Sequence, residues 1–368
     1  MQLLQAERDA LLKPLATVTG IVERRHTLPI LSNVLIKKDG DALTFTGTDL
    51  EIQIMSQQTE GFSGNDFAIT VAAKKMSDIL RAIADKTVVT LEESDGRLTV
   101  KAGKSRFQLQ TLPAADFPQL AVDPNLRATI RMPQGQLKAL LARAQFSMAH
   151  QDIRYYLNGM LFVTEGNLLK LVATDGHRLA FASTELTTSF EKNEVILPRK
   201  TILELYKLLA DNDDEVAIEI AGNQVKFAFG AIVIHSKVVD GKFPDYNRVI
   251  PAGNDKLMVL DRQALLAAMQ RAAILSNEKF RGVRLVVTEN LLKIICNNNE
   301  QEEAQEEVEV SYTNTPLDVG FNIQYLLDVL TNMSVETFHF SFGDVGSSVL
   351  VTIPDNAHFK YIVMPMRI

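Results

Sequence analysis

The chain of 368 residues has a single cysteine, Cys296, so it can form no disulfide within itself, and its histidines show no zinc-ligand spacing. A reducing compartment and no structural metal are therefore expected. Long apolar runs are also missing. The longest, Phe227 to Ile234, falls far short of the roughly 18 residues that a membrane-spanning helix needs. The opening Met1-Gln2-Leu3-Leu4-Gln5-Ala6-Glu7-Arg8-Asp9 is too charged for the apolar core of a signal peptide, which points to the cytoplasm and away from a membrane. Familiar catalytic signatures are lacking too: there is no G-x-S-x-G elbow, no Gly-rich phosphate loop ending in Lys-Ser/Thr and no H-E-x-x-H, and the six histidines do not cluster. The chain reads as neither an enzyme nor a cofactor carrier.

What is present is a folded composition, 46% hydrophobic and 23% charged, with a length that suggests two or three domains. The net charge of −7 argues against a nucleic-acid partner unless the positive groups are gathered in one place.

A repeat organises the whole chain. Apolar strands centred on Leu35, Leu161 and Leu285 are each followed, 14 residues later, by Asp49, Asp175 and Asn299. A further 29 residues on come Asp78, Glu204 and Asp328, each leading branched apolar residues. Helical periodicity around Leu11, Leu137 and Leu265 opens each unit, with Pro14 expected to kink or end the first of these helices. Extended runs at Phe107, Ile234 and Tyr361 close the units at intervals of 127 residues. Turn signals every 8 to 12 residues favour antiparallel hairpins. The expected fold is therefore α+β: three tandem domains, 1–125, 126–252 and 253–368, each of two helices and about eight short strands. Within the repeat, Asp175 lies two residues from His177, a spacing open to acid–base chemistry. Asp49 repeats the aspartate without a histidine, so it is expected to shape a turn.

Size constrains what such domains can enclose. A domain of this length is about 35 Å across, and three in a triangle leave a hole of only about 3 Å radius. Six in a hexagon leave one of about 17 Å radius, wide enough for duplex DNA. A head-to-tail homodimer would supply six. The six helical windows carry a net +6, which leaves −13 on the rest of the chain, much of it in the run from Glu300 to Glu309. Helices lining the hole would thus offer phosphates a positive wall with no preference for sequence. The competing reading is a monomeric, solenoid-like adaptor that never meets DNA, its basic residues being ordinary solvated faces.

Several strings resemble one family. Leu28-Pro29-Ile30-Leu31, Leu112-Pro113-Ala114-Ala115-Asp116-Phe117-Pro118, Phe146-Ser147-Met148-Ala149-His150-Gln151-Asp152, Arg154-Tyr155-Tyr156-Leu157-Asn158-Gly159, Thr174-Asp175-Gly176-His177-Arg178-Leu179-Ala180, Ile274 to Gly282 and the terminal Met364-Pro365-Met366-Arg367 are similar to the bacterial β sliding clamp, the processivity subunit of DNA polymerase III. The similarity runs from end to end. It implies a dimeric ring of six domains, helices inside, loaded around duplex DNA by a clamp loader and without chemistry of its own. It also implies a pocket that takes short, Gln-led apolar motifs from the polymerase III catalytic subunit, the loader, other polymerases and repair proteins.

Carried over by match, that pocket comprises Leu157, Thr174, Gly176, His177, Arg178, Leu179, Pro244, Arg248, Val249, Ser348, Ile362, Val363, Met364, Pro365 and Met366. The methionines and branched residues suit varied apolar anchors, with Arg178, Arg248 and His177 as polar contacts at the rim. The resemblance assigns the subunit seam to Arg106 and Phe107 against Ile274 and Leu275, with Glu300 and Glu303 facing Lys74 and Arg106. DNA-facing residues by match are Arg25, Gln151, Tyr155 and Tyr156 on loops and Lys74, Arg81, Arg199 and Lys200 on helices. The loop Glu23-Arg24-Arg25-His26 departs from the family pattern and leaves Arg24 and Arg25 as alternatives.

Overall fold

The computed structural model describes every residue except 24–26, 60, 61, 63, 122 and 368. The first repeat runs β1 (Gln2–Glu7), α1 (Arg8–Thr19), β2 (Asn33–Asp39), β3 (Ala42–Thr48), β4 (Ile52–Gln58), β5 (Phe67–Ala72), α2 (Ala73–Ala82), β6 (Val88–Ser94), β7 (Arg97–Ala102) and β8 (Ser105–Leu112). The second runs β9 (Leu126–Pro133), α3 (Gln134–Ala142), β10 (Gly159–Thr174), β11 (Arg178–Pro198), α4 (Arg199–Leu208), β12 (Glu215–Ala221), β13 (Gln224–Phe229) and β14 (Ile232–Lys237). The third runs β15 (Lys256–Asp261), α5 (Arg262–Ala273), β16 (Gly282–Thr288), β17 (Leu291–Asn297), β18 (Glu303–Glu309), β19 (Leu317–Asn322), α6 (Ile323–Asn332), β20 (Thr337–Phe342), β21 (Val349–Ile353) and β22 (Asn356–Val363).

Among the described residues each repeat thus has two α-helices, and the strand pairings are antiparallel. In the second repeat, β10 and β11 each do the work of two strands: Gly159–Thr164 pairs with Asn193–Pro198, and Leu168–Thr174 with Leu179–Glu185. The strands β1, β9 and β15 ahead of the first helices carry no signal that the sequence reading used. Helix α1 continues through Pro14 and does not end there. Pro14, which can donate no backbone hydrogen bond, is buried along with Leu11, Leu15 and Val18 of the same helix.

The chain forms two compact units that cut through the middle repeat: Met1–Gln136 with Leu203–Val238, and Leu137–Ile202 with Val239–Ile368. The first holds a twelve-stranded sheet, β1-β6-β7-β8-β5-β2-β3-β4-β14-β13-β12-β9. Its β4–β14 pairing, Ile54 opposite Ile234 and Gln53 opposite His235, joins strands of repeats one and two. Helices α1 and α2 pack on each other, and α2 buries Ala73, Met76 and Leu80 while exposing Lys74, Lys75 and Arg81. The second unit holds a six-stranded sheet, β10-β11-β22-β21-β20-β15, and a four-stranded one, β18-β17-β16-β19. There β11 pairs with β22, joining repeats two and three. The apolar stripe of α5, Leu265, Ala268, Met269 and Ala272, is buried at the three-and-four spacing, each full leucine-sized burial being worth about 1.5–3 kcal/mol. Among the described residues no helix is long and apolar enough to cross a membrane.

Candidate protein-docking site and sheet edges

The turn from Thr174 to Arg178 is held by two side chains. Asp175 Oδ1 accepts from the amides of His177 (2.9 Å) and Arg178 (3.0 Å). The Thr174 hydroxyl donates to the Arg178 carbonyl (2.6 Å) and accepts from the Gly176 amide (3.1 Å). The first repeat builds the same turn: Asp49 Oδ1 accepts from Glu51 and Ile52, and Thr48 bonds Ile52 and Leu50. The aspartate therefore shapes a turn common to these repeats, the Asx pattern that short carboxylates favour. In the third repeat the capping residue is Asn298, which accepts from Glu300 and Glu302, and not Asn299 as the equal spacing implied. That turn carries extra residues, from 298 to 302, before β18 begins.

Beside this turn runs the end of the chain. Arg178 lies opposite Val363 and Leu179 opposite Ile362 across β11–β22. The Met364 amide then donates to the His177 carbonyl (2.9 Å), and the Met366 amide to the Gly320 carbonyl (2.9 Å). Below lies an apolar cluster of Leu157, Leu161, Val163, Val172, Leu179, Ile196, Phe243, Tyr246 and Ile362. Met364 is 47% exposed and Val249 41% exposed, so both offer apolar surface to the solvent. Thr174, Leu157, Leu179, Ile362 and Val363 are buried, while Gly176, His177, Pro244 and Arg248 are exposed. Arg248 leans on Asp245 (3.1 Å). Pro365 and Met366 are half-buried. Ser348 is half-buried just ahead of β21, its carbonyl accepting from Asn254 (2.9 Å).

Arg178 departs from its expected place at the rim. Its side chain is only 9% exposed and points inward. Nε donates to Asp175 Oδ2 (3.1 Å), Nη1 to Asp328 and to the Tyr361 hydroxyl (3.5 Å), and Nη2 to the Phe146 carbonyl (2.7 Å). The guanidinium also lies 4.5 Å from the Tyr325 ring centre. Burial opposes its charge, but the oxygens of Tyr361 and Asp328 outweigh that and hold its pKa above the ordinary arginine value. Burial likewise pushes the Tyr361 hydroxyl well above the usual tyrosine range. Sequence reading missed Asp328 and Tyr361 as members of this site, because their partner lies 150 and 183 residues away.

A loop stands next to the turn. Asp152 accepts from Arg154 at Nε (3.0 Å), Nη2 (2.8 Å) and the backbone amide (2.8 Å), and these bonds lower its pKa to about 2. Arg154 Nη2 also reaches the Asp175 carbonyl (3.1 Å). The loop presents Gln151, Ile153 and Tyr155 outward, with Tyr156 half-buried and edge-on to Tyr155. Of the helical cations, Lys74 and Arg81 are exposed, and Lys74 lines a cleft of about 560 Å³ with Thr19, Ser32 and Asp78. Lys200 is half-buried. Arg199 turns inward to donate to the Met148 carbonyl (3.1 Å), and burial together with the nearby Arg178 charge lowers its pKa. Arg24 and Arg25 lie outside the described residues.

Among the open sheet margins of the described residues, two carry residues of the expected seam. In β8 only Thr111 and Leu112 pair with β5, so residues 105–110, including exposed Arg106 and half-buried Phe107, have β7 on one side alone. In β18, Glu303–Glu309 pair only with β17. Ile274 is 78% exposed at the end of α5, with Leu275 half-buried beside it. Glu300 and Glu303 are exposed, and Glu306 pairs with Arg271 on α5. An open edge presents unpaired amides and carbonyls that invite another strand.

Three repeats of two helices on antiparallel sheet, with strands paired across each repeat junction, define a three-domain clamp protein. The N-terminal, central and C-terminal domain profiles of the DNA polymerase III beta subunit match residues 1–121, 131–245 and 247–367. The beta sliding clamp of Pseudomonas aeruginosa is 48% identical over 363 residues, covering 98% of this chain and 99% of that one, and the beta sliding clamp of Escherichia coli K12 is 45% identical over 362 residues with the same coverage. A crystal structure of the Pseudomonas aeruginosa sliding clamp bound to griselimycin has a TM-score of 0.95 at 47% identity, and that of the Caulobacter crescentus clamp 0.93 at 40%, each covering 100% of both chains. The chain belongs to the DNA polymerase III beta subunit family, the beta sliding clamps.

Proposed function

We propose that two copies of this chain close head to tail into a ring around duplex DNA, helices inward, and hold DNA polymerase III and other proteins there through short Gln-led apolar motifs. The observation that carries the reading is the pair of open margins, residues 105–110 of β8 and 303–309 of β18, on a chain of this family. One edge bears Arg106 and the other a row of glutamates, so antiparallel pairing between copies would satisfy both hydrogen-bonding edges and bring opposite charges together. Ile274, Leu275 and Phe107 would then leave water, and Lys74 would lie near Glu300 and Glu303. Three domains per chain, 1–125, 126–252 and 253–368, give the six that a ring wide enough for a duplex needs. Gln151, Tyr155, Tyr156, Lys74, Arg81, Arg199 and Lys200 would meet the DNA with no base reading, and cytoplasmic residence follows from that role. Motif peptides would seat over Leu157, Leu179 and Ile362, with Met364 and Val249 closing on them.

The decisive test is retention on DNA of two shapes. Loaded by a clamp loader with ATP, the protein should stay on nicked circular plasmid through gel filtration and be lost once the circle is linearised. Its mass in solution should be near twice 40.9 kDa. A monomer, or a complex whose lifetime ignores linearisation, overturns the proposal in favour of an adaptor that does not encircle DNA.

A further inference from the structure

The side chain that crosses from the second repeat to the third inside the docking site is Arg178, and four of its five N–H groups are already taken by protein oxygens: Nε by Asp175, Nη1 by Asp328 and Tyr361, Nη2 by Phe146. A guanidinium so occupied and only 9% exposed has little left to offer a peptide. Its backbone, by contrast, is the first residue of β11, flanked by His177, whose carbonyl holds the Met364 amide, and by Leu179, which lies opposite Ile362. Where the guanidinium is pinned decides where these neighbours stand.

Asp328 does the pinning from the opposite repeat. It sits on α6, and its second oxygen accepts from Gln324 Nε2 one turn earlier (2.8 Å), which fixes the carboxylate's orientation toward Arg178. Tyr325, on the same helix, lies face-on to the guanidinium, and the Tyr361 hydroxyl donates to the Tyr325 carbonyl (2.8 Å). The helix therefore offers an anion, an aromatic face and a hydroxyl tether to one arginine. Lysine could not reproduce this fork.

We propose that Asp328 is a positioning residue of the docking site: it touches no peptide but sets peptide affinity by seating Arg178, and with it the His177–Leu179 edge on which Met364 rests. This deepens the peptide-docking reading above and rests on it.

The test is a double-mutant cycle on the full-length dimer, read by fluorescence polarisation with a fluorescein-labelled peptide in which a Gln is followed by Leu and Phe. Asp328→Ala should weaken binding about tenfold, the usual size of coupling between residues in direct contact. In an Arg178→Ala background the same change should add nothing, and Asp328→Glu should recover most of the affinity. Asp328→Asn, which keeps the shape and loses the charge, serves as the better-folded companion and should fall between wild type and Asp328→Ala; circular dichroism confirms the fold of each. Wild-type protein that ignores the peptide would overturn the docking reading and this proposal together. A wild type that binds, with Asp328→Asn and Asp328→Ala binding equally well, would overturn this proposal alone, as would losses that multiply in the double mutant.

Discussion

The Arg154 guanidinium occupies the space into which a Cβ on Gly176 would project: Nη1 and Nη2 lie 2.8 and 2.9 Å from that position. Gly176 also has φ of +90°, a conformation that side chains of the L series adopt only under strain. The glycine thus serves the turn twice, by its backbone freedom and by the room it leaves for the cation that ties the loop at Asp152 to the carbonyl of Asp175.

Gly176→Ala should therefore cost about 1–3 kcal/mol in backbone strain and displace Arg154 as well. The melting temperature should drop by several degrees, and affinity for motif peptides should fall with it. Differential scanning fluorimetry and peptide polarisation check both, and an alanine variant as stable as wild type would contradict the account.

Acid should weaken the first compact unit through one histidine. His235 on β14 is buried, and that burial, with Lys226 alongside and against the pull of Glu219, lowers its pKa from 6.5. The unfolded chain then binds the proton that the folded one refuses, so stability is full above about pH 6.5 and declines as pH falls from there toward the folded pKa. Urea titrations at pH 7.5 and 5.5 should show a lower midpoint in acid, and His235→Gln should flatten the difference.

Removing Met364 to Ile368 takes away the strand end held by the His177 and Gly320 carbonyls. Peptide affinity should fall below detection in polarisation assays while the mass in solution stays that of a dimer. Unchanged affinity would displace the docking site from this edge.

The double variant Ile274→Ala with Leu275→Ala should yield monomers by analytical ultracentrifugation. Ile274 exposes 78% of its surface at the end of α5, an apolar area that association would bury. A variant that stays dimeric would place the seam elsewhere.

The triplication and α+β class were legible because each repeat carries its own local signals: an apolar strand, a turn, and the Thr-Asp cap seen at Thr48-Asp49 and Thr174-Asp175. Equal spacing failed only at Asn298, where a longer turn shifts the cap by one residue. Strand pairing across repeats, β4 with β14 and β11 with β22, has no local signature, since register between distant strands depends on tertiary packing. For the same reason Arg178 reads as a rim cation and is found turned inward: its acceptor Asp328 lies far along the chain. Pro14 shows burial overriding a local rule.

Because β4 and β14 share one sheet, a fragment cut at the first repeat boundary would bare one edge of β4 over Ile52–Ser56, and one cut at the second would bare β11 over Arg178–Ala182. Such pieces are poor candidates for separate expression, being prone to clump through their bared strands. Dissection of this chain is better done by point substitution, since each compact unit is built from two separate stretches of chain and no single cut frees either.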